Sequence, residues 1–125
     1  MPKILIVDDS DILRIELREA LESGGYAVVE GVNGVDGLSK AKENPDISLV
    51  ISDVNMPEMD GITMCGTLHR DPVFSALPLF VLTTEASADL KAKGKDAGVL
   101  LWIVKPFNKD KVLGVVGKVL ALKAA

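Results

Sequence analysis

Asp53 closes a mostly apolar run, Ile47-Ser48-Leu49-Val50-Ile51-Ser52, and turn residues follow it: Asn55, Pro57, then Asp60-Gly61. A buried strand of this length reaches the surface where its apolar residues stop, so the Asp53 carboxylate is expected at a strand end. Other runs end in the same way. Asp8 and Asp9 follow Ile4-Leu5-Ile6-Val7, Thr83 follows Leu79-Phe80-Val81-Leu82, and Lys105 follows Leu100 to Val104. In an open parallel sheet, ligands bind just beyond the C-terminal ends of the strands. Three carboxylates gathered there repel one another, and desolvation adds to the repulsion. A hard divalent cation relieves it, and oxygen-only ligands suit Mg2+ better than zinc. Lys105 offers a positive charge, and Thr83 a hydroxyl donor, to the oxygens of a phosphoryl group. A carboxylate nucleophile, a hard cation and a lysine suit phosphoryl transfer, where positioning and charge neutralisation are most of the catalysis. Asp53 is the expected nucleophile.

These groups meet only if five strands deliver them to one edge. Lys3 to Asp8 is a β-branched run without polar alternation, the pattern of a strand covered on both faces. A helix follows, with Leu13, Leu17, Ala20 and Leu21 on one stripe, and Gly24-Gly25 stops it. The second strand is expected over Tyr26 to Glu30, followed by Asn33-Gly34 and a weaker helix on Val35, Leu38 and Ala41, ended by Asn44-Pro45. Asp60 is a good N-cap for a third helix carrying Ile62, Cys65 and Leu68, which stops before Pro72. The helix over Ser87 to Ala97 contains Gly94, three lysines and few large apolar residues, so it is expected to be the least stable. Asn108 caps a last amphipathic helix through Val112, Leu113, Val116 and Leu120. Five strand–helix alternations predict an α/β fold, a five-stranded parallel sheet with helices on both faces and right-handed crossovers.

Composition sets the outer bounds. With 125 residues, 48% of them apolar and 26% charged, the chain suits one globular domain over residues 1–125. A net charge of −4 does not favour a nucleic-acid surface. No apolar run approaches the ~20 residues of a membrane span, and no signal-peptide core stands at the start. Cys65 is the only cysteine, which excludes an internal disulfide. A cytoplasmic protein is expected.

Taken together, several short motifs resemble those of response-regulator receiver domains, and in particular the free-standing chemotaxis regulators of the CheY type. They are Val7-Asp8-Asp9-Ser10, Asp53 with Asn55-Met56-Pro57 and Met59-Asp60-Gly61, Leu82-Thr83-Thr84-Glu85, and Trp102-Ile103-Val104-Lys105-Pro106-Phe107. The resemblance covers the whole chain and implies the strand order 2-1-3-4-5. It implies that Asp53 is the phosphoacceptor, that Asp9, Asp53 and the backbone carbonyl of Asn55 ligate Mg2+, and that Asp8 acts largely through water. It further implies that Lys105 holds the phosphoryl group together with the backbone at Asn55 and Thr84. Thr83 would turn inward on activation, and Trp102 would occupy the place of a mobile switch aromatic. Lys105-Pro106 would be a cis peptide. The implied partners are a sensor histidine kinase, a flagellar motor switch protein or another protein target, and a phosphatase, with no nucleic acid, no membrane and a monomeric state. Small acyl phosphates can replace the kinase as donor. Two residues depart from the family pattern. Leu101 stands where a small residue is common, and Trp102 is bulkier than the usual tyrosine, so its bulk opposes an inward rotamer.

Other readings stand beside these. Asp8 or Asp9 alone could be a helix cap. His69 sits near a helix C-terminus, where a cation is favoured, and Cys65 falls on an apolar stripe. Lys91, Lys93 and Lys95 read as a solvated helix face or as a dock for an acidic partner. Trp102 could be plain core. For function, the alternatives are an aspartyl-phosphate phosphohydrolase of the haloacid-dehalogenase type, a flavodoxin-like cofactor binder, and a receiver in a relay outside chemotaxis. The first would place Asp-x-Asp on the first strand; here the acids are adjacent and the nucleophile is on the third.

Overall fold

The computed structural model describes residues 1–85 and 87–124. Strand and helix alternate in the order β1 (Lys3–Val7), α1 (Asp11–Ser23), β2 (Ala27–Gly31), α2 (Gly34–Glu43), β3 (Leu49–Ser52), α3 (Gly61–Arg70), β4 (Leu79–Thr83), α4 (Ala88–Asp96), β5 (Leu101–Val104) and α5 (Lys109–Ala124). Every strand pairing is parallel and the sheet order is β2-β1-β3-β4-β5, as expected.

The absence of polar alternation in the strands has a direct structural cause: both faces of the sheet are covered. Side chains alternate across a strand. Ile4, Ile6, Leu49, Ile51, Phe80 and Leu82 therefore share one layer with Leu17 and Leu21 of α1 and Val112 and Val116 of α5. Leu5, Val7, Val50, Leu79 and Val81 face the other layer, with Ala41 of α2 and Met64, Cys65 and Leu68 of α3. Fully burying side chains of this size contributes about 1.5–3 kcal/mol each, so the two layers hold the strand ends rigidly in place. β5 is an edge strand, and its residues are only half-buried or exposed.

Strand boundaries differ slightly from the sequence reading. β1 stops at Val7 and β3 at Ser52. The next ladder bonds are donated by Asp8 N to Gly31 O (3.1 Å) and by Asp53 N to Val7 O (2.8 Å). Each acid is thus the first residue past its strand, with its backbone still tied to the sheet. β2 starts one residue later than Tyr26 and ends on Gly31, in register with Val7.

Side-chain caps begin the helices, each worth ~1 kcal/mol. Ser10 caps α1, accepting from Leu13 N at 3.3 Å, and Asp60 caps α3, accepting from Thr63 N at 2.8 Å. Asn33 and Ser87 cap α2 and α4, and Asn108 Oδ1 accepts from Lys111 N at the start of α5. Since Ser10 takes the capping role, neither the Asp8 nor the Asp9 carboxylate is used as the cap of α1. α4 is lightly anchored, with Gly94 its one buried residue. Among the described residues no helix is long and apolar enough to cross a membrane.

Candidate functional site

The sheet order reverses between β1 and β3, the position at which an open α/β sheet forms its ligand crevice. Asp8 and Asp9 leave β1 there and Asp53 leaves β3. One carboxylate oxygen from each lies within 4.8 Å of the others. Asp8 and Asp53 are buried and Asp9 is exposed. Across the opening, Lys105 Nζ donates to Asp8 Oδ2 at 3.3 Å and lies 3.4 Å from Asp53 Oδ1. The Lys105–Pro106 peptide bond is cis.

Asp53 is held on its main-chain side by close packing. A Cβ at position 61 would fall 1.8 Å from the Asp53 carbonyl oxygen, so only glycine lets α3 begin this near to the end of β3. Ser52 Oγ donates to the same carbonyl at 2.8 Å, and Val54 N donates to Asp53 Oδ1 at 2.8 Å. Burial, and then the neighbouring Asp8 charge, push the Asp53 carboxyl above its ordinary value, against the pull of Lys105 and the Val54 N–H. A carboxylate in this state gains from any positive charge brought into the opening.

A second set of contacts links the acid cluster to the far edge of the sheet. Thr83 is fully buried, and its Oγ1 accepts from Glu85 N at 3.2 Å. The Glu85 carboxylate accepts from Asn55 Nδ2 at 3.0 Å, and the Glu85 carbonyl accepts from Trp102 Nε1 at 3.1 Å. Thr84 is exposed beside them. Trp102 is half-buried rather than standing out in solvent, and it packs on the α2–α3–α4 side of the sheet. Register explains the pairing: Trp102 lies opposite Val81, and Thr83, two residues on, faces the same side.

Three participants were not singled out from the sequence. Glu85 appears in the sequence only as the end of the Leu82-Thr83-Thr84-Glu85 motif, because the partners of its carboxylate and carbonyl, Asn55 and Trp102, lie on other segments. Gly61 is visible only as part of an Asp-Gly turn. The Arg14 guanidinium donates through Nη1 to the Asp8 carbonyl at 2.6 Å, a contact that helical spacing does not reveal. The remaining candidates stay outside the site. Burial pushes the Cys65 thiol up to about 12, so it is an inert core residue at neutral pH. His69 is exposed near the C-terminus of α3, against Gly98. Lys91, Lys93 and Lys95 are exposed on α4. A groove of about 450 Å3 between Pro2, Ile47, Phe74 and Pro78 opens at the opposite ends of the strands, away from the carboxylates.

The model of the response regulator receiver domain matches residues 4–116, and the chain belongs to that family. It is 36% identical over 120 residues to the chemotaxis protein CheY1 of Helicobacter pylori, covering 92% of this chain and 97% of that protein. The structure of the chemotaxis response regulator CheY4 of Vibrio cholerae superposes with a TM-score of 0.88 at 36% identity, over 95% of this chain and 98% of that one. The CheX–CheY–BeF3–Mg2+ complex from Borrelia burgdorferi gives a TM-score of 0.87 at 28% identity, over 94% of this chain and 88% of the matched one. The protein is a phosphorylation-activated response regulator of chemotaxis-type signalling. Receiver domains are signalling modules that catalyse their own phosphorylation and dephosphorylation, and they typically bind Mg2+. The donor set here, three carboxylates without a nearby thiolate or imidazole ligand among the described residues, fits that ion. The phosphohydrolase and cofactor-binder alternatives are not favoured.

Proposed function

We propose that Asp53 accepts a phosphoryl group from a phosphohistidine of a sensor kinase, within a single receiver domain spanning residues 1–125. The observation that carries this reading is the placement of the Lys105 ammonium within 3.4 Å of Asp53 and 3.3 Å of Asp8, opposite a third carboxylate. An Asp53 carboxylate oxygen attacks phosphorus, the bond to the histidine nitrogen breaks, and that nitrogen keeps the electron pair. Lys105 exchanges its contact with the carboxylates for an oxygen of the transferred group. Asp9, Asp53 and the Asn55 carbonyl would hold Mg2+ directly, and Asp8 largely through water. When bound, the ion neutralises charge on the carboxylates and on the phosphoryl oxygens. The backbone N–H groups at Asn55 and Thr84 and the Thr83 hydroxyl donate to the phosphoryl oxygens.

Thr83 leaves Glu85 N when it turns to the phosphoryl group, and Glu85 is the residue that holds Trp102. Phosphorylation therefore biases the surface of α4, β5 and α5. Its occupant is a protein: a flagellar motor switch protein or another target of the same pathway, with a phosphatase resetting the state. The module works in the cytoplasm as a monomer, without nucleic acid, and turns over no substrate other than its own phosphoryl group. Incubation with Mg2+ and acetyl phosphate, read by intact mass, tests the assignment. The wild type gains one phosphoryl group, and Asp53→Asn gains none. Equal labelling of that variant sinks the assignment.

A further inference from the structure

Asp8 is held from four directions. Its N–H donates to Gly31 O (3.1 Å), its Oδ1 accepts from Ser10 N (2.8 Å), its Oδ2 accepts from Lys105 Nζ (3.3 Å), and its carbonyl accepts from Arg14 Nη1 (2.6 Å). Asp9 has no such support. Its side chain is exposed and makes no hydrogen bond or ion pair among the described residues. Its place depends on the main chain alone. The Asp8 carbonyl belongs to the rigid peptide plane that joins Asp8 to Asp9. A donor fixed on that oxygen therefore sets the direction in which Asp9 leaves the sheet.

The donor is itself fixed. The Arg14 side chain is only 11% exposed, pairs with Asp11 on its own helix, and donates through Nε to Glu30 Oε1 on β2 at 3.2 Å. Glu30 is paired on its other oxygen with Arg18. The planar fork of a guanidinium reaches these three separated acceptors from three different nitrogens, whereas the three donors of a lysine ammonium all share one nitrogen. We propose that Arg14 is a positioning residue for the acid pair. It locks the Asp8–Asp9 peptide so that both carboxylates converge with Asp53, and it thereby raises affinity for Mg2+ without contacting the ion. This rests on the Mg2+ reading given above.

Charge alone makes the opposite prediction, and this gives the test its power. A cation beside a cluster of acids repels Mg2+, so removing it should tighten binding. Loss of positioning should weaken it, and contacts of this kind typically change metal affinity about 10- to 100-fold. Mg2+ is titrated into metal-free protein by calorimetry, for wild type, Arg14→Lys and Arg14→Gln, well below each melting temperature. Arg18→Gln serves as control, because it loosens the same Glu30 network without touching Asp8. The expected result is Mg2+ affinity weakened roughly tenfold or more in both Arg14 variants, with Arg18→Gln close to wild type. Arg14→Lys binding like wild type, Arg14→Gln binding more tightly, or Arg18→Gln losing as much as the Arg14 variants would each overturn the proposal. A wild-type protein that takes up no Mg2+ would overturn the metal reading itself, and this inference with it.

Discussion

Trp102 lies in a notch that Gly94 leaves in helix α4: a Cβ at position 94 would stand 2.7 Å from Cζ3 of the indole. Read from sequence, Gly94 is only a weak point in a helix, and the bulk of Trp102 opposes an inward position. The two are complementary. The missing Cβ makes room for the larger ring, and the indole N–H is then satisfied by the Glu85 carbonyl at 3.1 Å. The conformation of Trp102 is thus set jointly by α4 and by the segment after Thr83 that carries Glu85.

Gly94→Ala puts two effects in opposition. Alanine in a helix interior gains about 1 kcal/mol over glycine, but here its methyl group displaces the indole. The expected outcome is Trp102 emission at longer wavelength and stronger acrylamide quenching, with the helix gain largely cancelled. An unshifted spectrum together with a melting temperature raised by the full helix preference would show that the ring does not need the notch.

Thr83→Ala removes the acceptor of the Glu85 N–H and with it one anchor of the loop that holds the indole. Mg2+ with beryllofluoride should shift wild-type Trp102 emission to shorter wavelength and reduce quenching. Coupling of this kind is typically ~1–3 kcal/mol, enough to move populations several-fold. The variant should lose most of that response while Asp53 is still phosphorylated by acetyl phosphate. A full response in Thr83→Ala would separate the threonine from the aromatic.

Asp53→Asn should raise the melting temperature of the metal-free protein at neutral pH. Burial and Asp8 push the Asp53 carboxyl up, so its folded value lies above its unfolded one. Between the two values the folded state binds more protons, and stability contributed by this group is lost as pH rises through the folded value. The neutral variant escapes that loss. A gain of ~1 kcal/mol corresponds to roughly 3–6 °C for a domain of this size, and the difference should shrink as pH falls toward the ordinary aspartate value of about 4. Identical melting curves across that range would mean the charged form is not strained.

Lys105→Met should act in two directions. Without metal it leaves Asp8 and Asp53 facing each other unrelieved, so melting temperature falls. With the competing ammonium gone, Mg2+ should bind more tightly, by roughly fivefold for ~1 kcal/mol of relieved repulsion. Calorimetric titration beside metal-free melting reads both. Weaker Mg2+ binding in this variant would contradict the placement of the ammonium between the acids.

Much of this arrangement is legible in the chain itself. Strand character follows from apolar runs without polar alternation, because strands covered on both faces have no solvent side. The clustered acids Asp8, Asp9 and Asp53 stand where those runs stop, and Ser10, Asn33, Asp60, Ser87 and Asn108 stand where side-chain oxygens meet free helical N–H groups. Such signals are local, within a few residues of what they determine. Strand order came from resemblance to a family, since nothing in the runs themselves says which strand lies beside which. Other features arise only from folding. Lys105 reaches Asp8 across 97 positions of sequence because the parallel register brings both strand ends to one edge. Arg14 on the Asp8 carbonyl, Glu85 between Asn55 and Trp102, and the indole against Gly94 are contacts between elements whose spacing carries no periodic mark. Their geometry is decided by how the helices pack on the sheet, where a single missing methyl group, at position 61 or 94, determines what can come close.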